Sequence, residues 1–530
     1  MPIYERMLRS SRMLCCALLL CAMPLRAAVI PNDALQPDSA LSESDLRGVN
    51  ALLAEKRFDE AMKQIELFEK SNPSDPNVFM LKGAAYLAKG DVANARKSFE
   101  RAEKMNPLSM AALMNLAQLD VLQKNPQAAE RRFQNVLKSE PSNTEAMIGM
   151  ASVAAAEGRD GEYKTWLEKA VAADPKAVRP RVLLANYHLQ KKDSQAALEI
   201  ARQAQSLDPN NAQALDALGT AQMGAGDYDG ASRTYRQLTS VQPGDAEAHY
   251  KLATAQYAQQ DARAAKTSLY RSLQLKPNLL PAEIMLASIE LKAGRYVESM
   301  QVAKDVQKQY PSSSVGMTLE GDVLMEQKQY AEARKAYEKA FATRKSGTVA
   351  IKLHQALLAS GRSKDADAVV IDWLKAEPGD LGTRRYLAME YVKLGQRQQA
   401  VEQYERIVKA EPGNAVVASE LAALYQQSGD RRSLPLAEQA YKLAPQNAFV
   451  LDTLGWLLVT NGDAARGLQV LRTAAQLEPS SAMIRYHLAA ALAKAGQANL
   501  ARTELQTLLS RKTAFDERPQ AEALLKQLGK

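Results

Sequence analysis

The chain has 530 residues, 46% hydrophobic, 24% charged and only 6% aromatic, a composition that suits helices packed closely through small side chains. Its formal charge of +8 falls to +5 without residues 1–27, which carry four Arg and one Glu; an excess that small, spread over a long surface, gives no ground for nucleic-acid binding. All three cysteines, Cys15, Cys16 and Cys21, precede residue 28, which excludes disulfides, thiolate metal sites and a cysteine nucleophile from the rest of the chain.

At the N-terminus, Arg6, Arg9 and Arg12 precede the apolar run MLCCALLLCAM and the small-residue site LRAA. This order predicts a secretory signal over 1–27 and a linker over 28–41, hence an exported, periplasmic protein. The apolar run is about half the length that crosses a bilayer, so no permanent transmembrane span is expected. Lipidation of Cys21 would attach the chain to a membrane, although Leu20 stands where a processing site wants a small residue.

From residue 42 the chain keeps time. Prolines stand at 73, 107, 141, 175, 209, 243, 277 and 311, each 34 residues after the last, and resume at 378, 412, 445 and 479 after Lys345 takes one place. Each ends one amphipathic segment and precedes another, where a missing N–H and fixed φ stop a helix. Between them run Gly90, Gly158, Gly226, Gly294, Gly361, Gly395, Gly429, Gly462 and Gly496, placed where a tight turn between two helices needs a left-handed residue. Each unit therefore reads helix A, Gly turn, helix B, Pro turn. Near the start of helix B comes a small residue, as at Ala61, Ala95, Ala129, Ala231, Ala333 and Ala400. Four residues later a larger one usually follows, as at Ile65, Phe99, Phe133, Tyr235, Tyr337 and Tyr404. That spacing puts both on one helix face. The pair Leu454 and Gly455 in NAFVLDTLGWLL belongs to the same scheme and predicts packing, not a catalytic loop.

This pattern resembles the tetratricopeptide repeat over about 42–515. The resemblance implies an all-α, right-handed superhelical solenoid of about fourteen helix-turn-helix units, with 516–530 as a C-terminal capping helix that seals the last.

Little chemistry is legible. His188, His249, His354 and His487 lie in different units, none with a second ligand at a spacing that repeats as a metal site would, and no phosphate-cradling loop occurs. No catalytic, cofactor or metal site is expected. In the family the fifth and ninth residues of helix A line the concave wall. The first five fifth positions, Leu46, Met80, Met114, Ile148 and Val182, are apolar, which suits either an apolar partner segment or packing against the next helix A. Later ones include Tyr250, Arg385, Asp452 and Tyr486, and Trp456 stands at a ninth position. Asp452, Trp456, Arg485 and Tyr486 form a candidate partner-binding pocket, with Tyr250 and Arg385 as further candidates on the wall. The family's clamp for a partner's C-terminal carboxylate, built from Lys, Arg and two Asn, finds only Asn50, Asn115 and Asn186 and is not completed in register.

The run from Asn447 to Leu509 is similar to the C-terminal part of the PEP-CTERM system TPR-repeat lipoproteins, through Asp452, Leu454, Gly455, Trp456, Gly467, Arg485, Tyr486, His487, Leu488, Gly496 and Ala501. That resemblance implies an exported, non-catalytic scaffold with protein partners in exopolysaccharide assembly or in exosortase-linked envelope sorting. The alternatives are an assembly factor for an outer-membrane secretion complex and a repeat-bearing enzyme, the latter lacking room for an appended domain.

Overall fold

A computed structural model describes residues 42–511 and 515–529. The predicted signal and linker, with Cys21, lie outside the described residues. Among those described, twenty-nine α-helices and no strands are found. Twenty-eight form fourteen A–B hairpins, from Glu43–Ala54 and Phe58–Ser71 in repeat 1 to Ala482–Lys494 and Ala498–Ser510 in repeat 14. The last helix spans Arg518–Leu528. The chain divides into two compact units, one through Ala282 and one from Glu283.

The local sequence explains both kinds of turn. Most A helices begin with a short polar cap soon after the turn proline. Asp75, Ser109, Asn143, Asn211, Asp245, Asp380, Asn414, Asn447 and Ser481 each accept a hydrogen bond from a backbone N–H of the first turn, satisfying a donor that would otherwise be orphaned. Between A and B helices all nine glycines of the sequence series have φ of 69–98°. The gaps in that series are filled by Lys56, Lys124, Lys192, Gln260 and Lys328, which adopt the same left-handed conformation with φ of 58–66°. The turn is thus invariant in geometry even where its sequence signal is missing, at the cost of backbone strain that glycine avoids.

Packing between the two helices of a hairpin follows a size rule. The eighth position of helix A faces the larger residue of helix B, and where the former is Gly the latter is bulky. A Cβ on Gly83 would lie 2.4 Å from the Phe99 ring, one on Gly219 2.5 Å from Tyr235, and one on Gly321 2.4 Å from Tyr337. Repeats 5, 8 and 12 carry Ala201, Ala303 and Ala437 in the bulky slot, all fully buried, and in repeats 8 and 12 the small position four residues earlier is a serine. There the hydroxyls of Ser299 and Ser433 donate to the helix A carbonyls of Ala287 and Ala422, each at 2.9 Å, so the helices close on each other instead. Repeat 13 closes through two glycines, since a Cβ on Gly467 would lie 2.7 Å from the Gly455 carbonyl oxygen. Leu454 and Gly455 are therefore packing residues, as read from the sequence.

In the first unit, the buried core of repeats 1–3 joins Ile65, Phe79, Leu81, Phe99 and Leu116 in one cluster that crosses hairpin boundaries. Buried Asp120 accepts from Arg96 and Arg132, on the B helices of repeats 2 and 3. In the second unit, Leu387, Tyr391, Tyr404, Leu421 and Tyr425 do the same across repeats 11 and 12. No hairpin in these clusters has a core to itself, which is why neighbours must stack. Helix Arg518–Leu528 covers Ala489, Leu505 and Leu508 with Ala521, Leu524, Leu525 and Leu528.

Glu283 departs from this economy. It is buried, Gln309 donates to its Oε1 at 3.0 Å, and Oε2 has no hydrogen-bond partner among the described residues. Burial raises its pKa above the ordinary glutamate value. A raised carboxyl pKa in the folded state makes ionisation a loss for the fold, absent below about pH 4 and growing as pH rises to and through the raised value. Glu283→Gln is therefore expected to raise Tm at about pH 8, with the gain fading toward about pH 4. A variant of lower Tm at the higher pH, measured by calorimetry, would contradict this.

Candidate partner-binding site

The sequence placed four candidates near the C-terminus, and the structure brings three of them together with a fourth residue that sequence reasoning set aside. Asp452 lies on helix A of repeat 13 (Ala448–Thr460), one turn before Trp456. Tyr486 and His487 lie on the adjoining helix A of repeat 14 (Ala482–Lys494). Asp452 is only 2% exposed, and His487 Nδ1 stands 2.9 Å from both of its carboxylate oxygens. An ionised carboxylate only accepts, so Nδ1 carries the proton and donates. This bond fixes the plane of the imidazole. The Trp456 ring stacks on it, with centroids 4.3 Å apart and planes 13° from parallel. Tyr486 is tilted beside both, at 6.3 Å from Trp456 and 5.8 Å from His487.

The result is a held aromatic shelf spanning two repeats. Trp456, Tyr486 and His487 are each half-buried, while the carboxylate beneath them is sealed. Burial, with the Glu517 charge adding to it, raises the Tyr486 pKa, so its hydroxyl stays protonated at neutral pH. His487 Nε2 makes no hydrogen bond among the described residues. The shelf therefore offers flat apolar area, a phenol and an imidazole nitrogen, with side chains already positioned. Little conformational entropy remains to be lost on binding. No serine, threonine or cysteine side chain is hydrogen-bonded to His487 among the described residues, so its contacts are those of a positioned ring.

Arg485 points elsewhere. Its guanidinium pairs with Glu504 on helix B of its own repeat, at 3.1–3.2 Å, and donates to the Pro479 carbonyl. Each step along a helix turns the side chain by about 100°, so Arg485 stands about 200° from His487. This corrects the expectation that Arg485 completes the pocket. Arg385 is likewise engaged, forked onto Glu420 of the next helix A, with Nε 3.1 Å from Oε2; that bond raises its pKa and keeps it charged. Tyr250 is half-buried in the first unit. It and Arg385 are far along the chain from the shelf.

A rule connects these side chains. Arg385 with Glu420, Asp452 with His487, and Asp216 with Lys251 are all 35 residues apart. A charged fifth position of one helix A is pinned by the sixth position of the next. That offset is the sequence signal that points to His487. The apolar fifth positions have a different fate: Met80, Ile148 and Val182 are buried against neighbouring helices. Among these residues the packing reading holds, and they form no open apolar wall. His354 too is built in. It occupies the eighth position of its helix A, is 1% exposed, and lies between Tyr386 Oη at 2.8 Å from Nδ1 and Asp367 Oδ1 at 3.3 Å from Nε2. No cluster of three metal-ligating side chains occurs among the described residues, and no described helix is long and apolar enough to cross a membrane.

Paired helices with invariant turns and cross-hairpin cores define a helical-repeat protein. The particular repeat is equally plain. Models of the tetratricopeptide repeat match residues 188–255, then 46–103, 80–130 and 453–522, and finally 317–345 and 387–414. The chain belongs among the tetratricopeptide repeat proteins. Solved structures similar to it include the APC/C hetero-tetramer Cut9-Hcn1, at 14% identity over 93% of this chain and 97% of that one, with a TM-score of 0.42. Yeast Tom70 is 14% identical over 86% and 95%, with a TM-score of 0.39. YrrB, described as a TPR protein with an unusual peptide-binding site, is 21% identical over 35% and 96%, with a TM-score of 0.30. No curated protein matches the chain.

Proposed function

We propose that the protein is an exported scaffold that holds protein partners of the cell envelope, in exopolysaccharide production or in exosortase-linked sorting, through the aromatic shelf of repeats 13 and 14. The observation that carries the binding role is the stack of Trp456 on a His487 ring fixed by buried Asp452. The repeat requires no large aromatic at that ninth position, and a half-buried, preorganised aromatic cluster is the kind of surface that dominates binding energy. The envelope assignment is supported by the basic-then-apolar start of the chain and by the resemblance of its last repeats to the PEP-CTERM system lipoproteins.

Met483 suits a photo-crosslinking residue. It is half-buried and stands three residues before Tyr486 and four before His487 on the same helix, a spacing that puts it on the face of the shelf. Irradiation of intact cells carrying the probe at this position is expected to capture envelope proteins encoded near sugar-polymer or sorting genes. Capture of an outer-membrane barrel would favour the assembly-factor alternative instead. Recovery of cytoplasmic proteins alone would remove the envelope assignment.

A further inference from the structure

We propose a second docking surface, on the B-helix side of repeat 12, that takes an acidic segment of a partner protein carrying an apolar anchor side chain. It does not depend on the shelf. Helix B of repeat 12 spans Ser433–Leu443, 11 residues, against 14 for Arg397–Ala410 in repeat 11. In repeat register Ser433 stands where Ala400 stands, so the helix lacks the three residues that precede Ala400 in its neighbour. The turn at Arg431 and Arg432 stands in their place, and Pro435 falls within the first turn of the shortened helix. The missing turn opens a cleft of about 540 Å³ between the B helices of repeats 11 and 12.

The floor of this cleft is apolar, formed by Val408, Leu421 and Leu436. Its rim is cationic, with Lys409, Arg431 and Arg432 against a single carboxylate, Glu405. That carboxylate is already engaged: Tyr425 Oη donates to it at 2.6 Å and Arg432 at 2.9 Å. Arg432 is itself held, by Asp430 at 2.7 Å and by its place 4.1 Å over the Tyr425 ring. The side chains of Arg431 and Lys409 are exposed and make no hydrogen bond or ion pair among the described residues. Two uncompensated cations beside an apolar cleft complement an apolar side chain flanked by carboxylates.

The test uses the chain with three labelled, end-blocked hexapeptides in fluorescence anisotropy: Glu-Asp-Leu-Leu-Asp-Glu, a version with Ser for Leu, and Lys-Lys-Leu-Leu-Lys-Lys. The acidic leucine peptide is expected to bind saturably, and the serine version at least about tenfold more weakly. Arg431→Glu with Lys409→Glu, both at exposed positions, should weaken the acidic peptide by about tenfold or more and admit the lysine peptide. Trp456→Ala should change neither, which separates this surface from the shelf. The proposal is overturned if the acidic peptide shows no saturable binding, if the serine version binds equally, or if the charge reversal leaves binding unchanged. It is also overturned if only phosphatidylglycerol vesicles, and no peptide, lose binding on charge reversal.

Discussion

Phe99→Ala is expected to lower the unfolding free energy of the first unit by about 3–5 kcal/mol, the range for truncating a fully buried aromatic. The upper end is favoured by what faces it. Phe99 is fully buried in the cluster shared by repeats 1–3, and the residue beneath its ring is Gly83, which has no side chain to move into the space. Ala437 in repeat 12 shows the alternative: an alanine in that slot is tolerated beside Ala422 and a serine that reaches a helix A carbonyl. The double variant Gly83→Ala with Phe99→Ala should therefore be less destabilised than Phe99→Ala alone, because the added methyl partly fills the void. Chemical denaturation would measure both. A cost below about 1 kcal/mol for the single change would mean the hairpin is not held by this slot.

Asp452→Ala is expected to cost about 1–3 kcal/mol, the penalty for stranding the His487 donor, and to release the imidazole from beneath Trp456. The carboxylate is buried and has no hydrogen-bond partner but His487 among the described residues, so water cannot readily replace it. Asp452→Asn keeps an acceptor oxygen for Nδ1 and should lose less. The change in stacking is readable separately from stability, in the emission of Trp456 after Trp166 and Trp373 are changed to Phe. An unchanged spectrum and Tm for Asp452→Ala would show that the acid does not position the shelf.

How much of this is legible in the sequence follows from what each residue is required to do. The turn prolines, the glycines and the Ala/Phe slots repeat because every hairpin poses the same steric problem, so periodicity exposes them. The left-handed Lys56, Lys124, Lys192, Gln260 and Lys328 escape because backbone conformation is set by the turn and not by those side chains. His487 escapes for another reason. A metal ligand would pair at a spacing that recurs, whereas its partner is Asp452, one repeat and one residue back. Adjacency groups Arg485 with Tyr486, although the helical step carries its side chain away from His487 and toward Glu504. The short helix of repeat 12 leaves only a one-residue shift in the proline series, from Pro412 to Pro445, too small a mark to reveal a cleft.

The most direct measurement is the affinity of a partner captured at the shelf, compared between the native chain and Trp456→Ala by titration calorimetry. Loss of a preorganised aromatic anchor predicts at least about 2 kcal/mol, roughly a thirtyfold weaker Kd, measured below the Tm of the variant. An unchanged Kd would contradict the shelf as the working surface of this protein.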